Sequence, residues 1–433
     1  IDEYDNFANT VMMGIHNDKE RYNALVHDEG ILRTLFKAVK SSTSGSRFDR
    51  VFITGVSPVV LSDITSGYNI AENIYSHSKL NDLCGFTESE VLSALEDIVE
   101  QCSLNSEELN EALDIMKTYY NGYCFVPKLN QYIYNPTLCL YFFKQFQEMC
   151  DYPRKMLDSN LATDESKLEY VAQIPMGREI IVSMMERDNH LEVGDLSDRF
   201  GIREMLDESF KNNMFIVSFL YYFGVLTLAG ETDEGELILK VPNLVMQGLY
   251  VERVQRMLLP EPSERDDGIF AAKQVYQKGD MEQLSDFIEN RYFAVFKNRD
   301  YRWANELTLK TAFLTLLYND ILFIMDSEPE LRRQYADLTM IIRPDKRRFK
   351  IFDILIEFKF VTLKSAGITG EEAKALPKDS LHELPPIKKA FEEGEKQVIQ
   401  YGNHLDEKYG NLRLQKFVVV ALGFDRVCFR KLT

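Results

Sequence analysis

The chain is 433 residues long, 45% hydrophobic and 27% charged, with a formal net charge of −18. That length exceeds one ordinary core and predicts two or three domains. No apolar run approaches the length of a membrane span, so no membrane partner is expected, and the acidic balance argues against indiscriminate nucleic-acid binding without excluding a local basic groove.

In chain order, "IDEYD" reads as the tail of an apolar strand ending in acids, and a start at a strand end marks the chain as a fragment. Helical spacing follows in "ILRTLFKAVKS", then a loop over "SSTSGSRFD", then a β-branched strand in "RVFITGVSPV" that stops at Gly55 and Pro58. Strand, helix, strand at this spacing predicts an α/β unit with a parallel sheet. From about 87 to 146 the pattern is mostly helical, broken by "YYNGYCF" and "YIYNPT". A helical stretch from about 160 closes on "FGVLTLAGETDEGELILKVPN", a hairpin turning over "ETDEGE", which predicts a winged-helix-like module. Pro- and charge-rich "LLPEPSERDD" marks a boundary near 263, so domains are expected over 1–145, 146–262 and 263–433. The six cysteines form no CxxC pair and the six histidines no HExxH, which argues against zinc. Their irregular spacing predicts reduced thiols in a cytoplasmic protein.

In the last domain, 304–318 reads as a helix, followed by strands over 321–326, 335–343 and 349–361. The polar "KSAGITGEEAKALPKDSLHELPP" leads to a helix over 387–409, whose stripe Phe391, Gly394, Val398, Tyr401 and Leu405 steps by three and four. Gly410 ends that helix and "KFVVVALGF" is the final strand. The order α-β-β-β-α-β is the core of a restriction-endonuclease-like fold, and 263–433 is expected to fold alone.

Within "FDILIEFKFV", Asp353 stands at the strand start, within reach of water, whereas Glu357 and Lys359 sit deeper and share one face. Burying an acid and a base costs several kcal/mol unless they are paired or hold a metal. The turn "RPDKRR" brings Asp337 opposite 355–357, so two carboxylates converge with Lys359 one strand repeat beyond. Asp337 and Glu357 are then metal ligands for Mg²⁺ or Mn²⁺, and Lys359 orients water or stabilises the developing anion. Glu306 supplies a further acid or is simply a first-turn helix acid. Gln397 and Tyr401 share one helix face at i, i+4, with Tyr401 also readable as core. The basic run Arg343, Lys346, Arg347, Arg348 and Lys350 either meets phosphates or forms a solvated hairpin tip.

Asp337 followed by Glu357-x-Lys359 resembles the PD-(D/E)xK nuclease signature, and Gln397-x-x-x-Tyr401 resembles a feature common in such nucleases, which implies Gln397 and Glu306 as further catalytic residues. The chain as a whole resembles a family of predicted AAA-type ATPases carrying a C-terminal nuclease domain of that kind. "IDEYD" resembles its Walker B strand end and "VFITGVSPV" its sensor strand; "CGFTESEV", "YYNGYCF", "YNP", "YFGVLTLAG", "LKVPN", "RPDKRRFKIFDILIEFKFV" and "VVVALGFDR" follow in the family's order. Residues 362–386 resemble an insertion found in one branch. The resemblance implies an α/β protein with a partial P-loop ATPase core, a helical or winged-helix-like middle and a C-terminal αβββαβ domain. It implies that Asp2 holds the Mg²⁺ of a bound nucleotide through water, that Glu3 polarises the attacking water, and that Thr54 reads the γ-phosphate; an ordinary strand-end threonine is the alternative. No GxxxxGK[ST] loop is present, so either the chain is a fragment or its ATPase half is degenerate; ATP is a cofactor only if that loop lies upstream, and the chain itself is expected to hydrolyse ATP negligibly. The implied activity is a metal-dependent nuclease regulated by an attached ATPase module, acting on DNA ahead of RNA, with a homo-oligomer left open. The alternative is a signalling or scaffold ATPase whose nuclease fold only binds nucleic acid or protein.

Overall fold

The computed structural model describes residues 1–5, 31–44, 49–55, 72, 74–127, 131–157, 164–185, 190–197, 212–296, 306–326, 330–331, 334–335, 337–410 and 412–432. The chain divides into two compact units of mixed helix and sheet, one of Ile1–Gln147, Leu157–Met184 and Asn189–Met246, the other of Glu148–Met156, Met185–Asp188 and Gln247–Thr433. The middle domain expected over 146–262 is therefore shared between them. The last division between the units falls between Met246 and Gln247, and Pro262 begins a helix, a position where its missing N–H is no loss. Among the described residues no helix is long and apolar enough to cross a membrane.

In the first unit, helix α1 spans Ile31–Ser44. Helices α2 (Glu88–Gln101) and α3 (Ser106–Tyr120) each start with a capping box, Thr87 with Glu90 and Asn105 with Glu108. Helix α4 covers Pro136–Met149. The two tyrosine-rich breaks pair with each other through a Tyr123–Ile133 bridge. Within the first break Gly122 adopts φ +105°, and a Cβ there would stand 2.1 Å from the Pro242 carbonyl oxygen, so only glycine fits. Strands β1 (Leu191–Val193), β2 (Thr227–Glu231) and β3 (Leu237–Lys240) form an antiparallel sheet in the order β1-β3-β2. The hairpin expected over "ETDEGE" is present, closed by Thr232 N–H donating to the Glu236 carbonyl at 2.8 Å. Cys84, Cys124, Cys139 and Cys428 are in no disulfide, but Cys102 and Cys150 are disulfide-bonded, against the expectation of reduced thiols throughout. Each lies one residue past a helix end, a placement that sequence spacing does not reveal.

In the second unit, helices α5 (Pro262–Lys278) and α6 (Glu306–Leu317) precede strands β4 (Phe323–Asp326), β5 (Leu338–Ile342) and β6 (Asp353–Val361). Helix α7 (Pro385–Tyr409) leads to β7 (Leu414–Leu422), and β8 (Arg426–Leu432), which the expected order did not include, follows a tight turn. The sheet order is β8-β7-β6-β5-β4. Only β6 and β7 are parallel, and α7 is the crossover that such a pair needs. Phe313 of α6 packs on Phe358 at 5.1 Å on one sheet face. On the other, Phe391, Val398, Tyr401 and Leu405 of α7 cover Leu355, Val418 and Val420. Gly394 permits the close approach: a Cβ would meet Val418 Cγ1 at 2.6 Å. The polar segment after β6 is not a loop but three short helices, Leu363–Ala366, Gly370–Ala375 and Lys378–His382, with Ala373 and Leu381 fully buried.

Candidate active site

Strand β6 turns Leu355 and Val361 toward α7, so Glu357 and Lys359, in phase with them, point the same way. Leu338 pairs with Ile356, which sets Asp337, one residue before β5, level with Glu357. An Asp337 carboxylate oxygen accepts from the Phe358 N–H at 2.7 Å, between the other two side chains. Lys359 Nζ donates to Glu357 Oε1 at 2.7 Å and to the Phe358 carbonyl at 3.0 Å. The second Glu357 oxygen, Oε2, is buried with no hydrogen-bond partner.

Glu357 is only 2% exposed. Burial first, then the charges of Asp337 and Glu306, push its carboxyl up to about 8, against the opposing pull of Lys359. Burial pulls the Lys359 ammonium down, but Glu357, Asp337 and Glu306 together outweigh it and hold the pKa above the ordinary lysine value. Burial and then Glu357 raise the Tyr401 phenol, while a side-chain hydrogen bond from Gln397 opposes them. Asp337, Glu357, Lys359, Gln397 and Tyr401 are thus brought together, and Glu306, in the first turn of α6, acts on the same field.

A buried carboxylate oxygen with no partner lacks either a proton or a cation. Two carboxylates and one open oxygen fit a hard divalent cation, which takes oxygen ligands and keeps waters where the protein supplies few. Among the described residues no three His, Cys, Asp or Glu side chains are grouped to hold a metal. The carboxylates here that could hold one are Asp337 and Glu357.

Other expectations are corrected. Asp353 does not reach water: it is fully buried, accepting from Ile342 N–H at 2.8 Å, Arg413 N–H at 2.9 Å and Arg347 at 2.6 Å. The basic run is largely consumed inside the fold, Arg343 and Lys346 by Asp345 and Arg347 by Asp353. Arg348 and Lys350 remain exposed.

At the chain start, Ile1 N donates to Phe52 O and Thr54 N to Ile1 O, both at 2.8 Å, the bond pattern of parallel neighbours. Thr54 Oγ1 donates to Asp2 Oδ1 and accepts from Glu3 N–H at 3.3 Å. Asp2, Glu3 and Thr54 therefore meet, and both acids are exposed. Glu3 has φ +46°, a conformation that costs a non-glycine residue energy and recurs at functional sites. The later part of the expected sensor strand, from Val56 onward, lies outside the described residues.

A curated relative from Azotobacter chroococcum mcd 1, described as an uncharacterized protein in the vnfD 5′ region, is 23% identical over 358 residues, 79% of this chain and 59% of the relative. The chain thus spans less than two thirds of that protein's length. No solved structure matches. Residues 1–65 match the model of a family described as predicted AAA-ATPase, and this AAA-ATPase-like stretch is the one that brings Asp2, Glu3 and Thr54 together.

Proposed function

We propose that the second unit is a metal-dependent nuclease of the PD-(D/E)xK, restriction-endonuclease-like kind, acting on DNA ahead of RNA and regulated by an attached AAA-type ATPase module. The observation that carries this reading is the partnerless Glu357 Oε2, level with Asp337 and on one face with Lys359. Asp337 and Glu357 would hold Mg²⁺ or Mn²⁺, which would supply positive charge beside an attacked phosphate. Lys359 leaves its contact with Glu357 to orient water and to stabilise the negative charge that develops. Gln397 hydrogen-bonds Tyr401, a buried phenol that feels the charges of Glu357 and Asp337, and would help to position the groups around the carboxylate pair. In the first unit, Asp2, Glu3 and Thr54 serve Mg-ATP if a phosphate-binding loop precedes Ile1, and the β1-β3-β2 sheet with its helices supports a winged-helix-like module.

The capture of Arg343, Lys346 and Arg347 inside the fold favours a second reading, in which the domain binds a protein and cleaves nothing. Binding alone has no need of Asp337, Glu357 and Lys359 together. Incubating the purified chain with single- and double-stranded DNA and RNA separates the two. Cleavage is expected with Mg²⁺ or Mn²⁺ but not with Ca²⁺, whose looser coordination binds without supporting the chemistry. Glu357→Gln removes it, and Lys359→Ala slows it about 10²-fold or more. No cleavage, with no shift of the melting temperature by Mg²⁺, leaves the protein-binding reading.

A further inference from the structure

Arg343 is the largest fully buried side chain among the described residues, at 0% exposure, far from where an arginine ordinarily sits. Its guanidinium meets Asp345 with two nitrogens, Nε at 3.1 Å and Nη2 at 3.2 Å. The remaining donors go to main-chain carbonyls: Pro153 at 2.8 Å, Arg154 at 3.2 Å, Asp320 at 3.2 Å and Ile321 at 3.4 Å. Residues Glu148–Met156 belong to the second unit although the chain on both sides of them belongs to the first. Tyr152, Pro153 and Met156 are buried, while Arg154 and Lys155 point outward. Lys155 also acts on Asp320, whose carboxyl burial pushes up and which Arg343 and Lys155 pull back.

Arginine suits this place because its planar fork serves several acceptors at once; a lysine ammonium is a single point on a flexible stem. Arg343 follows the last residue of β5, and Asp337 precedes the first. We propose that Asp151–Met156 is an intramolecular strap, locked by Arg343 as a positioning residue, which holds β5 and with it Asp337 in register against β6. The strap is an irregular, bending segment with apolar anchors on either side of an exposed, charged middle, and its backbone carbonyls are what the lock reads.

Limited trypsin digestion of the full chain tests the lock directly. Arg154 is an exposed trypsin site whose scissile carbonyl is the one that Arg343 holds. The wild type should be cut after Arg154 at least tenfold more slowly than after the exposed Lys79, and Arg343→Lys should remove that protection while leaving Lys79 unchanged. Position 343 itself stays uncut in both proteins because Pro344 follows it. Hydrogen exchange reads the second half of the proposal: amides of Leu338–Ile342 should exchange at least tenfold faster in Arg343→Lys, with those of Arg426–Leu432 unchanged. If Arg343→Lys does not fold, Tyr152→Ala with Met156→Ala loosens the strap from its own side and should give the same two changes. Cutting of the wild type after Arg154 as fast as after Lys79, or folded variants that keep wild-type cutting and exchange, would overturn the strap. Neither readout involves a metal or a substrate, so it stands or falls apart from the nuclease reading.

Discussion

At Glu357 the folded chain holds a proton that the unfolded chain releases. Its carboxyl sits at about 8, against an ordinary value of 4.5. Between those values the native state binds more protons than the unfolded state, so stability falls as pH rises through that window. Each pKa unit corresponds to about 1.4 kcal/mol. Lys359 acts elsewhere on the scale: its raised pKa contributes stability that is present below the ordinary lysine value and lost only above it. Melting temperatures from pH 5 to pH 9 should therefore decline in the wild type relative to Glu357→Gln. Added Mg²⁺, which takes the ionised carboxylate, should reverse that decline most strongly near pH 8 and above. Parallel curves for the two proteins would mean that Glu357 is ionised throughout, and its second oxygen would need another explanation.

Helices and strands here are held by close contacts that reward the residue already present. Gly394 lies within α7, where alanine would gain about 1 kcal/mol of helix propensity. The added Cβ would stand 2.6 Å from Cγ1 of Val418, a fully buried, β-branched residue that cannot swing aside. Overpacking costs about 1–3 kcal/mol, so Gly394→Ala should destabilise on balance, read as a lower urea midpoint. The hairpin between β5 and β6 depends on Asp353 in the same way. Asp353→Ala strands two N–H groups and Arg347, and a loss of about 3–5 kcal/mol is expected. Lys350→Ala, at an exposed position of the same turn, should leave stability within about 0.5 kcal/mol.

For the whole molecule, the segmented second unit changes what a domain boundary means. Residues 263–433 expressed alone lack Glu148–Met156 and the stretch from Gln247, where Gly248 lies directly against the Tyr318 hydroxyl group. Leaving Arg343 buried without two of its carbonyls draws on a penalty of about 3–5 kcal/mol, within a total stability of about 5–15 kcal/mol. That fragment should melt without cooperativity, or far below the full chain, in a calorimetric scan. The chain as given should also release negligible phosphate from ATP. Positioning and charge stabilisation supply most of phosphoryl transfer, and the sequence contains no loop to cradle the phosphates. Robust turnover that vanishes in Glu3→Gln would contradict this.

Periodicity and spacing determined the elements near the site. The alternation of β6, the three-and-four stripe of α7 and the short turn before β6 were legible, and with them the meeting of Asp337, Glu357 and Lys359. These are local patterns, and a strand pair joined by a short turn has few registers to choose from. The tertiary structure alone decided the partners of charge. Whether Arg343 and Arg347 face phosphate or protein depends on Asp345, Asp353 and two carbonyls about 190 residues away, since the larger separations in the Arg343 contacts are 189 and 190. It also decided that the polar segment after β6 packs as helices, and that Cys102 and Cys150 are disulfide-bonded. A charged side chain reads the same in sequence whether solvated or buried; only the groups that fold around it tell the two apart.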